Sequence, residues 1–155
     1  MPFWTRIRTT PETIVSYEQA CEARYLEGAD LIERGSANGG FYLQGYVAET
    51  ALKAAFFRVL GKSTSEPITT VDRLDTGIPT QSQHDPASWM NKLISIRAPR
   101  PLDASVEENL RMAIHVIQEN WSTALRYRDE EPTPKEKWEF TNAVEWIIMN
   151  RVKLV

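Results

Sequence analysis

Between Phe41 and Leu60 the chain reads FYLQGYVAETALKAAFFRVL, and apolar or small residues return at Phe41, Gly45, Ala48, Leu52, Ala55 and Val59. That spacing predicts one long helix with a continuous apolar face. Gly61 stands where a left-handed C-terminal cap belongs. Inside the stretch, Gly45 and the alanines allow close approach by another element, Tyr46 brings a hydroxyl, and Glu49 and Lys53 form an i,i+4 pair in the favourable orientation. No segment elsewhere alternates with period two for long enough to argue a strand, so the expected fold is all-α.

Cap signatures divide the remainder. Thr10-Pro11-Glu12 supplies a hydroxyl N-cap before proline, predicting a first helix that runs to about Arg34. Gly35 and Ser36–Gly40 then read as a connection. Gly61–His84 is rich in Thr, Ser, Gly and Pro and reads as a long irregular segment. Within it, a helical turn capped by Thr70 is expected to bring Val71 and Leu74 onto the bundle. Asp85-Pro86 predicts a third helix over Pro86–Ile96, with Trp89, Leu93 and Ile96 inward, and Ala98–Pro101 breaks it. Asp103 or Ser105 opens a fourth helix, with Ser105 and Glu108 matching a capping box. Its period continues through Trp121 and Leu125 to about Arg126. Thr133-Pro134-Lys135-Glu136 is another capping box, predicting a fifth helix from Pro134 to about Asn150. Trp138, Phe140, Val144, Trp146, Ile147 and Ile148 cover more than half its circumference, which implies burial on two sides, the bundle and a partner chain. Trp138, Trp146 and Ile147 are the interface candidates. The expectation is an up-and-down bundle of about five helices, antiparallel where connections are short.

At 155 residues the chain reads as one domain, residues 1–155, large enough to carry its own core. Its 42% hydrophobic and 25% charged residues are ordinary for a globular protein. A net charge of −3 gives no global basic field for nucleic acid. The single cysteine, Cys21, forms no intramolecular disulfide and, with only two histidines, no zinc framework; it reads as a small core residue. No metal or cofactor is expected. The short polar N-terminus reads as no signal peptide and no run is long enough to span a membrane, so the expected compartment is the cytoplasm.

GYVAETALKA, Gly45–Ala54, resembles the second helix of HEPN (higher eukaryotes and prokaryotes nucleotide-binding) domains, where a GYxAExxLKA-like run recurs. YLEGADLIER, Tyr25–Arg34, is similar to the family's first-helix region. His84–Leu93 sits where the family often has a histidine-containing turn leading into a helix, and WSTALRYR, Trp121–Arg128, resembles the W…LRY ending of a later helix. The resemblance implies a short, commonly dimeric helical bundle. Many active members are metal-independent RNases whose motif is an Arg, a polar residue, three to five others and a His. In such a motif the histidine moves a proton from a ribose hydroxyl and the arginine stabilises the phosphorane.

Here the nearest match is Arg111-Met112-Ala113-Ile114-His115, with Met in place of the polar residue. The resemblance thus implies a non-catalytic binding or interaction module, a homodimer that meets a nucleotide, RNA or a nucleotidyltransferase, within a toxin–antitoxin or defence system. Two alternatives stand beside it: a metal-independent RNase using Arg111 and His115 across a dimer, and a structural protein that docks another through its C-terminal helix. Ligand-binding candidates are Tyr46, Glu49 and Lys53, which can line a polar groove, although a Glu–Lys pair at this spacing is more often an ordinary solvated ion pair worth well under ~1 kcal/mol. Arg126 and Arg128 bracket Tyr127, a candidate base-stacking residue, although Asp129, Glu130 and Glu131 follow and repel phosphate. Arg97 and Arg100 flank a proline-stiffened loop as further phosphate candidates.

Overall fold

The computed structural model describes residues 1–155, apart from the side chains of Trp4, Ile7 and Arg8. Seven α-helices follow one another: α1 (Phe3–Thr9), α2 (Ile14–Glu33), α3 (Ala37–Val59), α4 (Thr70–Asp75), α5 (Pro86–Ile96), α6 (Ala104–Asn120) and α7 (Pro134–Asn150). Three 3₁₀ turns, Thr80–Ser82, Thr123–Tyr127 and Arg151–Leu154, complete the chain. Among the described residues there is no strand, only one isolated bridge between Glu12 and Ile68. The five expected long helices are α2, α3, α5, α6 and α7; α4 is the short helical turn expected within Gly61–His84, and α1 is an addition at the N-terminus. None of the helices is long and apolar enough to cross a membrane.

α3 is the axis of the fold. It packs against α2, α5 and α7, while α6 closes the bundle against α5 and α7. The α2–α3 pair is an antiparallel hairpin, as contacts of Gly28 with Gly40 and of the Cys21 thiol with the Val47 carbonyl require. Its faces can touch because a Cβ on Gly40 would lie 2.6 Å from the Gly28 carbonyl oxygen. The glycines at 39 and 40, expected as part of a connection, therefore belong to the first turn of α3, where they serve close packing. Phe41 of α3 stacks on Phe140 of α7 with centroids 4.0 Å apart, and Phe56 and Phe57 meet Trp89 of α5 edge-on or tilted.

Other boundaries also moved for physical reasons. The cap of α2 is Thr13, not Thr10, because Thr13 and Ser16 satisfy each other's backbone N–H groups reciprocally. Glu12 is left extended, and its carbonyl accepts from the Ile68 N–H at 2.7 Å. Thr69 rather than Thr70 caps α4, in a box with Asp72. α4 is turned inside out relative to expectation. Val71 and Leu74 face solvent, while Asp72 meets Lys62 and Arg73 meets Glu12. α6 begins at the Asp103 cap, which takes both the N–H and the hydroxyl of Ser105, so no Ser105–Glu108 box forms. It ends at Asn120, six residues before the periodicity suggested. Trp121 adopts extended backbone there and lies on Gly45. Asp85 caps α5, and the Thr133–Glu136 box starts α7, both as expected. On α7, Ile147 is fully buried in the core and so is no interface residue, Trp146 is half-buried, and Trp138 is 67% exposed.

Candidate functional site

Tyr42, Tyr46, Glu49 and Lys53 recur at spacings of four, three and four, which places them in a row along α3. Their environment is the opposite of a solvated surface. Glu49 and Lys53 are only 3% and 7% exposed, and Lys53 Nζ donates to Glu49 Oε1 at 2.5 Å. The expectation of an ordinary surface pair is corrected. The reason is that α5 and α2 cover Lys53 with aromatic rings: its ammonium lies 5.3 Å from the Trp89 centroid and 5.6 Å from that of Tyr17. Tyr17 in turn donates to Glu12, which pairs with Arg73, so the buried charges continue into a polar chain that reaches the surface.

The second oxygen of Glu49 is not left empty. His84 Nδ1 sits 3.2 Å from both carboxylate oxygens. The turn that carries His84 is fixed on either side. The Trp89 indole N–H donates to the Gln83 carbonyl at 2.9 Å, and Asp85 caps α5 while accepting from Gln118 Nε2 at 3.1 Å. The imidazole itself is 62% exposed. Its pKa is raised above the ordinary histidine value, first by the hydrogen bond to Glu49, against the opposing effects of burial and of Lys53. With Nδ1 committed to a buried carboxylate, Nε2 is the nitrogen that faces outward, available as an acceptor when the ring is neutral and as a donor when it is charged.

Trp121 forms the other wall. Its indole N–H donates to the Tyr42 carbonyl at 3.0 Å, and its ring meets Tyr46 edge-on at 5.2 Å. Only glycine at 45 permits this, since a Cβ there would lie 2.0 Å from Trp121 Nε1. Tyr46 also faces His84 edge-on at 6.3 Å, and its hydroxyl shares a 3.2 Å hydrogen bond with Tyr42. Burial, then Tyr42, pushes the Tyr46 phenol well up, so it stays protonated and can donate. Between His84 and Trp121 lies a cavity of about 240 Å³, also lined by Gln81, Asp85, Pro86, Gln118, Ser122 and Thr123. It offers amides, hydroxyls, an imidazole and an indole wall, together with the Asp85 carboxylate, which already accepts from Ala87, Ser88 and Gln118.

The remaining sequence candidates separate. Arg126 lies over its neighbour Tyr127 at 4.6 Å, and its pKa is raised, first by Tyr42, but it lies outside the lining of this cavity. Tyr127 is 75% exposed, and Arg128 contributes a backbone carbonyl that accepts from Asn38. Arg111 and His115 lie on the outer face of α6, each beside a glutamate of its own helix: Arg111 with Glu107 at 2.8 Å, His115 with Glu119 at 3.4 Å. They line none of the cavities described here. Arg97 turns toward the Leu154 carbonyl, away from this cluster. Among the described residues no group of three or more His, Cys, Asp or Glu could hold a metal. Residue reading missed Tyr42, although it stands one turn before Tyr46. It also missed the pairing of His84 with Glu49, for which only the histidine-containing turn of the HEPN resemblance was a signal.

No protein-family model matches the chain, and no curated protein or solved structure matches it either.

Proposed function

We propose that the chain is a non-catalytic, HEPN-like binding and interaction module of the cytoplasm, and that a nucleotide or a segment of RNA is seated between His84 and Trp121. The observation that carries this reading is the buried Glu49 carboxylate holding an exposed imidazole at the mouth of a polar, aromatic-walled cavity. A buried charge is costly to maintain unless it is paired, and Glu49 is paired twice, by Lys53 and by His84. With the Asp85 carboxylate taken up by Ala87, Ser88 and Gln118, the arrangement suits a phosphate-bearing ligand with a planar group. A protonated His84 meets phosphate, while Gln81, Gln118 and the hydroxyls of Ser122 and Thr123 meet base or sugar edges. The HEPN-like run Gly45–Ala54 contributes Gly45, Tyr46, Glu49 and Lys53 to this same cluster. Homodimerisation, or docking of a nucleotidyltransferase in a toxin–antitoxin or defence setting, fits the exposed Trp138 face of α7.

The test is fluorescence anisotropy with labelled single-stranded RNA and with a nucleotide panel. His84→Ala is expected to weaken binding about tenfold, the loss of one charge-assisted hydrogen bond, whereas Arg111→Ala and His115→Ala leave it unchanged. Absence of binding to any RNA or nucleotide refutes the reading. RNA cleavage that persists in EDTA and disappears in His84→Ala would replace it with an acid–base enzyme.

A further inference from the structure

A second cavity, of about 360 Å³, opens where α2, α3 and the C-terminal 3₁₀ turn meet. Its volume falls within the roughly 300–1,000 Å³ typical of small-molecule sites. Three alanines on α3, Ala51 and, one turn later, Ala54 and Ala55, leave the space, and Val152 supplies a further apolar wall. Cys21 closes the floor. Its thiol is buried, donates to the Val47 carbonyl and is pushed up to about 11 by burial, so it is an inert wall rather than a nucleophile.

Two guanidiniums, Arg58 and Arg151, stand at the rim beside the Glu18 carboxylate, and Val155 also lines the cavity. Each arginine already has a partner. Arg58 Nη2 donates to Glu18, and Arg151 Nη2 donates to Glu22 while its Nη1 caps the end of α7 through the Ile148 carbonyl. These ion pairs are partly exposed, with side-chain exposures of 32–57%. Such pairs are worth about 0–1 kcal/mol, so an incoming carboxylate can replace or share them at little cost. Arg58 Nε and Nη1 have no partner among the described residues, and a guanidinium fork matches a carboxylate in bidentate fashion.

We infer that this cavity is a binding site for a small anionic amphiphile, an aliphatic or aromatic carboxylate whose apolar body lies on Ala51, Ala54, Ala55 and Val152 and whose head is held by Arg58 and Arg151. The site shares no lining residue with the His84–Trp121 cavity and stands independently of the function proposed there.

The experiment is a methyl NMR titration of the protein labelled at alanine methyls, using octanoate as the probe and octylammonium as its charge-reversed control. Octanoate is expected to give saturable shifts at Ala51, Ala54 and Ala55, and octylammonium none. Arg58→Gln and Arg151→Gln are each expected to raise the apparent Kd about tenfold, the loss of a hydrogen bond to a charged group. Arg58 is half-exposed and its replacement leaves the core intact. The inference is overturned if no saturable shift occurs, if octylammonium binds as well as octanoate, if both arginine variants titrate as the wild type does, or if the shifts fall instead on alanines that do not line the cavity, such as Ala113 and Ala143.

Discussion

Replacing Lys53 by methionine isolates the chemistry on which the candidate site rests. The substitution keeps the length and apolar stem that pack on Trp89 and Tyr17 but removes the cation 2.5 Å from Glu49. Glu49 is 3% exposed, so its carboxylate would remain in an apolar setting with His84 as its only other partner. Breaking a buried pair by removing one member costs about 3–5 kcal/mol. Proton uptake limits that cost. Neutralising an ordinary glutamic acid at pH 7 requires about 3.7 kcal/mol, whereas charging an ordinary histidine requires only about 0.7 kcal/mol. His84 would therefore take over part of the counter-charge, although its exposure weakens the compensation. The expected loss is about 2–4 kcal/mol at pH 7, or a fall in Tm of roughly 5–15 °C for a domain of this size. The loss should diminish as pH drops and His84 charges. The assay is urea unfolding of wild type, Lys53→Met, Glu49→Gln and the double variant. The double variant should recover at least half of the loss, because no isolated charge remains in it. A Lys53→Met cost below about 0.5 kcal/mol, the range of ordinary surface substitutions, would show that Glu49 is solvated and refute the reasoning.

Four further outcomes follow from the same structure. Glu49 raises the pKa of His84, so the stability this contact contributes is fully present below about pH 6.5 and is lost as pH rises through the higher folded value. The exposed ring keeps it under about 1 kcal/mol, and a stability difference between wild type and His84→Gln that does not shrink between about pH 5.5 and 8 would contradict the contact. Gly45→Ala drives a methyl into Trp121. Overpacking of about 1–3 kcal/mol should outweigh alanine's helix-propensity gain of about 1 kcal/mol, with a shifted tryptophan emission; a variant more stable than wild type would exclude the Gly45–Trp121 contact. Thr133→Ala removes the capping box of α7 and should cost about 1 kcal/mol in thermal unfolding, with no cost expected only if the helix end is frayed. Trp138→Lys changes an exposed side chain, so monomer stability should move by no more than about 0.5 kcal/mol. A wild-type dimer in light scattering that Trp138→Lys converts to monomer would place the interface on α7, and an unaltered dimer would exclude that face.

Local signals carried most of the fold. Proline at the first helical position after a capping side chain located α5 and α7 to the residue, since Asp85 and Thr133 are decided by groups within three positions of themselves. Periodicity failed where a distant contact won. Trp121 and Leu125 continue the α6 pattern on paper, but the indole gains more from lying on Gly45 and donating to the Tyr42 carbonyl, and the helix stops one residue before it. α4 failed likewise. Val71 and Leu74 read as inward residues until Lys62 and Glu12, neither on that helix, draw Asp72 and Arg73 inward instead.

The candidate site divides along the same line. Of its α3 row, Glu49 and Lys53 were legible because i,i+4 spacing places them side by side whatever the tertiary structure. What could not be read was the medium around that pair. An exposed Glu–Lys pair and a buried one have the same sequence spacing, and they differ in whether Trp89, 36 positions away, and Tyr17, 36 positions the other way, close over the ammonium. Once they do, the carboxylate needs a second partner on its open side, and the turn before α5 presents His84 there. A long-range packing event thus converts an unremarkable surface motif into a charge-bearing pocket wall. The consequence is that the burial of Lys53 and the orientation of His84 should be lost together in any variant that uncovers the pair, such as Trp89→Ala.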